Sequence, residues 1–428
     1  MSAPSNSVIP AASRYAWYVL LALTLAYGFN FVDRYVFVIM MEPMKKDLGL
    51  SDTQLGLTSG LAFSLIYSLS GLFVAHWADR GNRRSIIAMA LGAWSALTML
   101  CGLTRNFPQL LGARLGVGVT EAGCSPPAHS LISDYFPARQ RAIAFAIYSI
   151  GLYIGLGGGF ALGGWIGEQY GWRAAFIAAG IPGILFAIVL RLSVREPERG
   201  AAESAAVDSA VYTSREVASY MLRRPSFLAY MLGSSLFVFA GAAIDQWAPL
   251  FLMRVHGQPA DAVGLWTGIV GSTAGLGGSL AAGWIADKLA IRDQRWNLWV
   301  ASGGITLVVI GTLLFLFGPV SMLKSSYFLA TFFNAFVMPP TIAITQRVLP
   351  VRMRALGSAV MLVGYNVIGM AGCNFAIGFL SDLWQGDLHV DSVRYAMAAT
   401  QLTALAGLAC TIYAIIRMPR DFREQFEG

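Results

Sequence analysis

Apolar runs of roughly 20 residues, the length that crosses a bilayer's hydrocarbon core as a helix, recur twelve times along this chain of 428 residues. Their approximate limits are 15–40, 55–76, 85–104, 107–132, 141–167, 173–193, 227–252, 262–286, 297–318, 322–346, 355–381 and 394–416, with glycine, proline and charge gathered between them. No soluble core could absorb that much apolar surface. Hydrophobic residues make up 56% of the chain and charged ones 12%, against roughly 25% charged in a soluble domain. The fold class expected is therefore an all-α polytopic membrane protein of twelve transmembrane helices. Residues 1–13 carry no charged side chain, and the first run is too long for a signal-peptide core, so it is expected to persist as span 1.

An even number of spans puts both termini on one side, and the cations select which side. Of the 30 Lys and Arg, 21 fall in the termini and the loops sharing their side, 7 in the opposite loops, and two, Arg34 and Arg114, inside spans. Cytoplasmic loops carry the excess of Lys and Arg, so both termini are expected in the cytoplasm and the protein in the cell's inner membrane. The formal charge of +7 thus reports topology, and nucleic acid drops out as a partner. Cys101, Cys124, Cys373 and Cys410 all lie in apolar runs without a Cys-x-x-Cys pair, which reads as buried small hydrophobes rather than disulfides or a metal site.

One long hydrophilic stretch, 194–226, separates an N-terminal six-helix bundle, 1–193, from a C-terminal bundle and tail, 227–428. Its middle, Gly200 to Ala210, has the composition of a flexible linker. Thr213-Ser214-Arg215-Glu216 then reads as a capping box, followed by an apolar face of Val217, Tyr220 and Met221. This predicts a short helix along the cytoplasmic surface, with Arg223 and Arg224 near the headgroups.

The two halves repeat. After span 2 stands Ala75-His76-Trp77-Ala78-Asp79-Arg80-Gly81-Asn82-Arg83-Arg84, and after span 8, displaced by 208, Gly283-Trp284-Ile285-Ala286-Asp287-Lys288. After span 4 stands Phe136-Pro137-Ala138-Arg139-Gln140-Arg141-Ala142, and after span 10, displaced by 213, Leu349-Pro350-Val351-Arg352-Met353-Arg354-Ala355. Such self-similarity is expected of transporters built from parallel six-span repeats. The loop pattern, a small residue, three others, Asp-Arg or Asp-Lys and then an Arg pair, resembles the signature loop of the major facilitator superfamily. Asn82 stands where that family usually has Gly. The Asp33-Arg34 pair in span 1, with Arg114-Leu-Gly-Val-Gly-Val-Thr-Glu121-Ala in span 4, is similar to the spinster-like lipid transporters. Organic-anion symporters of the superfamily share a similar span-4 segment. The resemblance implies two pseudo-symmetric six-helix bundles around a central cavity.

An ionisable side chain inside a bilayer costs roughly 2.5–3.5 kcal/mol on insertion scales, which makes each one a functional candidate. Arg114 and Glu121 are seven residues apart, so they share a helix face about 10 Å apart, too far for a direct salt bridge. Either they serve the substrate or they fix helix orientation. Asp33 and Arg34 point about 100° apart and cannot both face one partner. Desolvation favours a protonated carboxyl and a nearby guanidinium favours an ionised one, the balance that proton coupling needs. The resemblance to spinster-like transporters implies that Asp33, with Arg34 and Glu121, couples protonation to gating. The alternative is an outer-gate or packing ion pair. The repeat displacement carries Asp33 onto Asp245 and Glu121 onto Asn334. Asp245 reads as a second protonation or gate residue, placed near the exit by Gln246-Trp247-Ala248-Pro249. Asn334, Tyr148, Tyr365 and Asn366 join Arg114 and Glu121 as cavity-lining candidates.

The signature loops read as conformational latches: Asp79, Arg80, Arg83, Arg84, Asp287 and Lys288, with Arg139, Arg141, Arg352 and Arg354, would hold the halves together on the cytoplasmic side when the outside is open. Gly151, Gly155, Gly157, Gly158 and Gly159 in span 5 fit close helix packing at least as well as an antiporter motif. No Walker loop, His-x-x-x-His pair or Gly-x-Ser-x-Gly elbow occurs, so no enzyme and no cofactor is expected. The function expected is proton-coupled alternating access by a monomer, moving an amphiphile of the sphingolipid or lysophospholipid type among membrane lipids. A drug/proton antiporter, an organic-anion symporter and, from another class, a receptor or channel are the alternatives.

Overall fold

The computed structural model describes residues 13–198, 214–350 and 353–422, and every described element is helical. Among the described residues, nine stretches are long and apolar enough to cross a membrane. The last, 356–421, is two spans, because the chain turns at His389–Asp391. Two more cross with interruptions. Span 2 runs through Asp52–Gly56, a π-helical turn at Leu57–Leu61, and Ala62–Arg80; span 4 is split into Phe107–Glu121 and Ser125–Tyr135. The described chain thus holds twelve spans. Spans 5, 7 and 8 (Ala138–Tyr170, Pro225–Val255 and Ala260–Ala290) outrun their apolar stretches. An apolar run measures hydrocarbon thickness, whereas the helix continues into water while its backbone bonds remain satisfied.

Spans 4 and 10, expected as continuous runs, are both broken. Phe107–Glu121 gives way to Ser125–Tyr135, and Leu323–Asn334 to Met338–Val348. Each second piece opens on a proline pair, Pro126-Pro127 and Pro339-Pro340. Proline brings no N–H and clashes with the carbonyl four residues back, so a straight helix cannot pass through. Glu121 and Asn334, related by the repeat, are the last residues of their first pieces.

One apolar core, including Trp94, Phe136 and Tyr148, is made only by the first six spans. Others, such as Phe227 with Ile344 and Met418, are made only by the last six. A further core joins the halves through Phe37, Met40, Leu55 and Phe160 with Trp247, Phe251, Val263 and Ile377. These residues lie toward the face opposite the termini, so the halves are fused on that far side and keep separate cores toward the termini. At the seam between spans 5 and 8, a Cβ on Gly164 would stand 2.4 Å from the Ala260 carbonyl, and one on Gly264 2.2 Å from that of Phe160. In span 5, Gly151, Gly155 and Gly159 press on span 1: added Cβ atoms would lie 2.5, 2.4 and 2.7 Å from the carbonyls of Thr24, Gly28 and Val32. That glycine series packs helices.

The short helix after the linker is Ser214–Leu222; residues 200–210 and Thr213 lie outside the described residues. It is tied to the protein. Met221 is buried beside Leu349 and Met353, and Arg224, its guanidinium 3.5 Å from the Tyr220 ring, donates to the Asp421 carbonyl.

Candidate functional site

The ionisable residues of spans 1 and 4 converge. Arg34 donates through Nε and Nη2 to one oxygen of Glu121, at 2.8 and 2.5 Å. Asp33 turns to span 3 instead, where Thr98 donates to its Oδ2 at 3.0 Å. Both neighbours nonetheless reach Glu121, Arg34 through its ion pair and Asp33 through a carboxyl–carboxyl contact, so the expectation that the two cannot face one partner is corrected: the long Arg34 side chain spans the 100° step. Arg114 makes no ion pair with Glu121. Its guanidinium lies 4.5 Å from the Phe37 ring and 4.9 Å from Phe63, whose ring is also 4.7 Å from the Arg34 guanidinium. The aromatic quadrupoles stabilise two cations in an apolar setting.

This site is incompletely satisfied. Asp33, Arg114 and Glu121 are 3%, 2% and 0% exposed. Asp33 Oδ1 and Glu121 Oε1 accept from no protein N–H or O–H and Arg114 Nε and Nη1 reach no acceptor, while the Asp33 and Glu121 carboxyls stand in contact, the arrangement of a shared proton. Glu121 and Arg114 are both electrostatic neighbours of Asp33. A buried polar atom without a partner costs about 1–3 kcal/mol, and three residues bear that cost in one place. Such an arrangement can take a proton on a carboxylate and an anionic oxygen on Arg114.

The C-terminal half carries a weaker counterpart. Asn334 Nδ2 donates to Asp245 Oδ2 at 2.6 Å, so the repeat images of Glu121 and Asp33 are joined directly. Asn334 fits because position 241 is glycine; a Cβ there would stand 1.9 Å from its Oδ1. Asp245 lies between Ile244 and Trp247 of the core that joins the halves toward the far face. Ten residues of helix, about 15 Å, follow it in Pro225–Val255, and Trp247 turns inward to donate to Asn374 Oδ1.

Three cavity candidates pack instead. Tyr148 stacks on Tyr27 at 4.5 Å within the N-half core. Tyr365 is buried with its hydroxyl 2.5 Å from Thr341 Oγ1. Asn366, half-buried, donates back to the Leu362 carbonyl of its own helix. Their rings and amide satisfy local packing before anything reaches a cavity.

The signature loops are seen here with the far side closed, the opposite of the state in which their latch is expected. Arg83 pairs with Asp134 and, at 2.7 Å, with Glu196, both in its own half. Arg84 donates to Glu196 and the Val194 carbonyl, and Arg80 is exposed at the end of span 2. The Asp79 side chain and Arg352 lie outside the described residues. Asp287 meets Arg347 at 3.8 Å, and Lys288 lies 4.5 Å from the Trp284 ring. The second arginine of each repeated pair bonds to its own helix end. Arg141 Nε donates to the Phe136 carbonyl at 3.0 Å, and Arg354 Nε to that of Leu349 at 3.2 Å, closing the helix ends of spans 4 and 10 alike. Arg139 stands two residues earlier in the first turn of span 5. The bonds described for Arg83, Arg84, Arg141, Asp287 and Arg354 lie on the termini side, whereas the halves meet on the other side.

That other side holds a network with no counterpart in the sequence expectations. Arg254, at the end of span 7, donates to both oxygens of Asp52 at 2.6 and 2.8 Å and to Glu42 at 2.9 Å. Lys45 and Ser381 also donate to Asp52, and the Asp52 and Thr53 amides donate to Asp382 of span 11. Asp52 stands at the mouth of span 2, ahead of its apolar run. Despite burial, the hydrogen bonds and charge of Arg254, then Lys45, hold the Asp52 carboxyl down at about 2. The available signal was symmetry: Arg254 is Glu42 displaced by 212, opposite charges at equivalent helix ends.

Sequence and structure comparisons agree with this geometry. The family model of the Major Facilitator Superfamily matches residues 23–373. An MFS-type efflux pump of Mycolicibacterium smegmatis is 32% identical over 96% of this chain and 95% of its own. Protein spinster of Drosophila melanogaster is 24% identical over 95% of this chain and 69% of its own. The crystal structure of a bacterial homologue of the human lysosomal transporter spinster, inward-facing and unoccupied, superposes with a TM-score of 0.88 at 28% identity, covering 97% of this chain and 99% of that one. A closed far side, two six-span halves and a buried charged site in the first of them are the parts of a transporter rather than an enzyme, and the chain belongs to the major facilitator superfamily as a spinster-like, multi-pass membrane transporter.

Proposed function

We propose that this transporter moves an amphiphilic, lipid-like substrate of the sphingolipid or lysophospholipid type by proton-coupled alternating access, as a monomer. It would sit in the inner membrane with both termini cytoplasmic, its bundles divided at 194–226, so that the termini side is the inside. The carrying observation is the buried group Asp33, Arg34, Arg114 and Glu121, with unpartnered atoms on three of its members. The anionic head of a substrate satisfies Arg114 and competes for Arg34. Release of Glu121 from Arg34 then lets the Asp33–Glu121 pair take up a proton. With the negative charge reduced, the halves rock and their far-side seam opens. The likeness to proteins named spinster supports a lipid-like cargo.

A second reading, drug/proton antiport, is favoured by the efflux-pump name of the 32% identical relative. Both readings use the same proton site. The test is uptake of a fluorescent lysolipid and of a cationic dye into proteoliposomes under an imposed pH gradient, with wild type, Asp33→Asn and Glu121→Gln. Gradient-driven lysolipid uptake that both variants lose supports the proposal. Dye transport without lysolipid transport supports the antiporter, and full gradient dependence in both variants refutes proton coupling here.

A further inference from the structure

The repeat extends beyond the signature loops to the far ends of spans 5 and 11. Span 5 ends in Gly164-Trp165-Ile166-Gly167-Glu168, and span 11, displaced by 214, carries Gly378-Phe379-Leu380-Ser381-Asp382. Each run has a glycine and, one turn on, a small residue followed by an acid. Each meets the first residue of a span from the other half: Asp52, which opens span 2, and Ala260, which opens span 8, displaced by 208. A Cβ on Gly378 would stand 2.2 Å from the Asp52 carbonyl, and one on Gly164 2.4 Å from that of Ala260. The acids take the N–H groups of the same residues. The Asp52 amide donates to Asp382 Oδ1 at 2.9 Å and the Thr53 amide to Oδ2 at 2.7 Å, while the Ala260 amide donates to Glu168 Oε2 at 2.9 Å. One turn deeper the match continues. Gly56 meets the Asn374 carbonyl and Gly264 that of Phe160, each 2.2 Å from an added Cβ. The displacement is 213 at Arg141 and Arg354 but 214 at the acids. The π-helical turn Tyr365–Ala371 lies between, and its wider turn takes up the extra residue, so Asp382 keeps the register of Glu168.

The first N–H groups of a helix have no acceptor within it, and an acid placed there meets both those groups and the positive end of the helix dipole. Such a cap ordinarily comes from the helix's own chain segment. Here it comes from the other half of the molecule, so it exists only while the far side is shut. We propose that Glu168 and Asp382 are a matched pair of gate residues, one on the seam of spans 5 and 8 and one on the seam of spans 2 and 11, whose caps break in a single movement when the far side opens. Each half has an apolar core of its own, and halves that move as bodies cannot part along one seam and stay shut along the other. Loss of either cap therefore loosens both seams. The Arg254 bonds add to the Asp382 cap at Asp52; Glu168 serves the seam on the opposite flank.

The test follows alkylation of two cysteine reporters in the purified full chain, Val263→Cys in span 8 and Ile377→Cys in span 11, both 0% exposed in the core that joins the halves. A charged maleimide reaches them when the far side opens, and its rate follows the far-open population. Peptide mass spectrometry reads each cysteine separately. Loss of a helix cap is worth about fivefold in such an equilibrium. Glu168→Ala, and separately Asp382→Ala, should therefore raise the rate about fivefold at both reporters, and the two together about 25-fold. Glu168→Gln and Asp382→Asn keep an acceptor oxygen and should stay within about twofold of the unsubstituted reporters, which separates loss of the cap from misfolding. A rise confined to the reporter on the altered seam overturns the proposal, because the caps then steady their own helices only. No rise at either reporter overturns it as well, and so does a rise in Glu168→Gln equal to that in Glu168→Ala.

Discussion

Arg254→Ala should release the far side. Its guanidinium binds both Asp52 oxygens and one of Glu42, and these acids belong to the other half. Arg254 and Asp52 are 9% and 1% exposed at the side chain, so solvent screens the pair little. Removing one partner of a buried ion pair costs about 3–5 kcal/mol. The proton equilibrium gives a similar figure. A carboxyl held at about 2 instead of its ordinary 3.8 is stabilised by about 2 kcal/mol in the latched state. Lys45 and Ser381 remain after the substitution, so about 3 kcal/mol is a fair expectation, which is roughly a 150-fold shift in the equilibrium between far-closed and far-open states. The sign for pH follows from the depressed carboxyl. The latch is fully formed above about pH 4 and is lost as pH falls toward 2. Spin labels at Lys46 and Gln385, on opposite halves near the seam and exposed, report the state by electron double resonance. Wild type at pH 7 should give one short distance, Arg254→Ala a dominant longer one, and Arg254→Lys a mixture, because lysine keeps the charge without the two-pronged geometry. An unchanged distribution in Arg254→Ala would refute the argument that this network holds the far side shut.

Other outcomes follow from the packing. Gly264→Leu drives its side chain into the Phe160 carbonyl, 2.2 Å from where a Cβ would stand; it should lengthen the same spin-label distance and lower thermal stability, overpacking costing about 1–3 kcal/mol. Arg83→Ala strips Asp134 and Glu196 of their shared cation within one half, so it should lower Tm by several degrees without shifting the spin-label distance. Arg141→Ala and Arg354→Ala each free one helix-end carbonyl, and should cost about 1 kcal/mol apiece, additively, in chemical denaturation of the purified protein.

Much of this architecture is legible in the chain. Spans were readable because bilayer thickness fixes the length of an apolar run, and their orientation because cations mark one side. The breaks in spans 4 and 10 were less legible. Pro126-Pro127 and Pro339-Pro340 were visible, but hydropathy does not register a turn that stays inside protein. Asp33, Arg34, Arg114 and Glu121 stood out because charge in an apolar run has no cheap explanation. The pairing itself was not readable: a 100° step suggested that Asp33 and Arg34 part company, yet both reach Glu121, with Thr98 a further partner of Asp33. Tyr148 and Tyr365 misled because an aromatic in a span packs as readily as it lines a cavity. The far-side network escaped notice because Glu42, Asp52 and Arg254 sit at span ends, where charge is ordinary. Only the repeat displacement applied to Glu42 would have pointed to its partner.

The central claim is that substrate binding and protonation meet at Asp33 and Glu121. The most direct measurement is the number of protons exchanged when hexylphosphocholine is added to the purified transporter in weakly buffered solution at pH 7. The account predicts proton uptake by wild type that is abolished by Asp33→Asn and by Glu121→Gln, with probe binding retained in at least one of them. Equal proton uptake by all three proteins would contradict it.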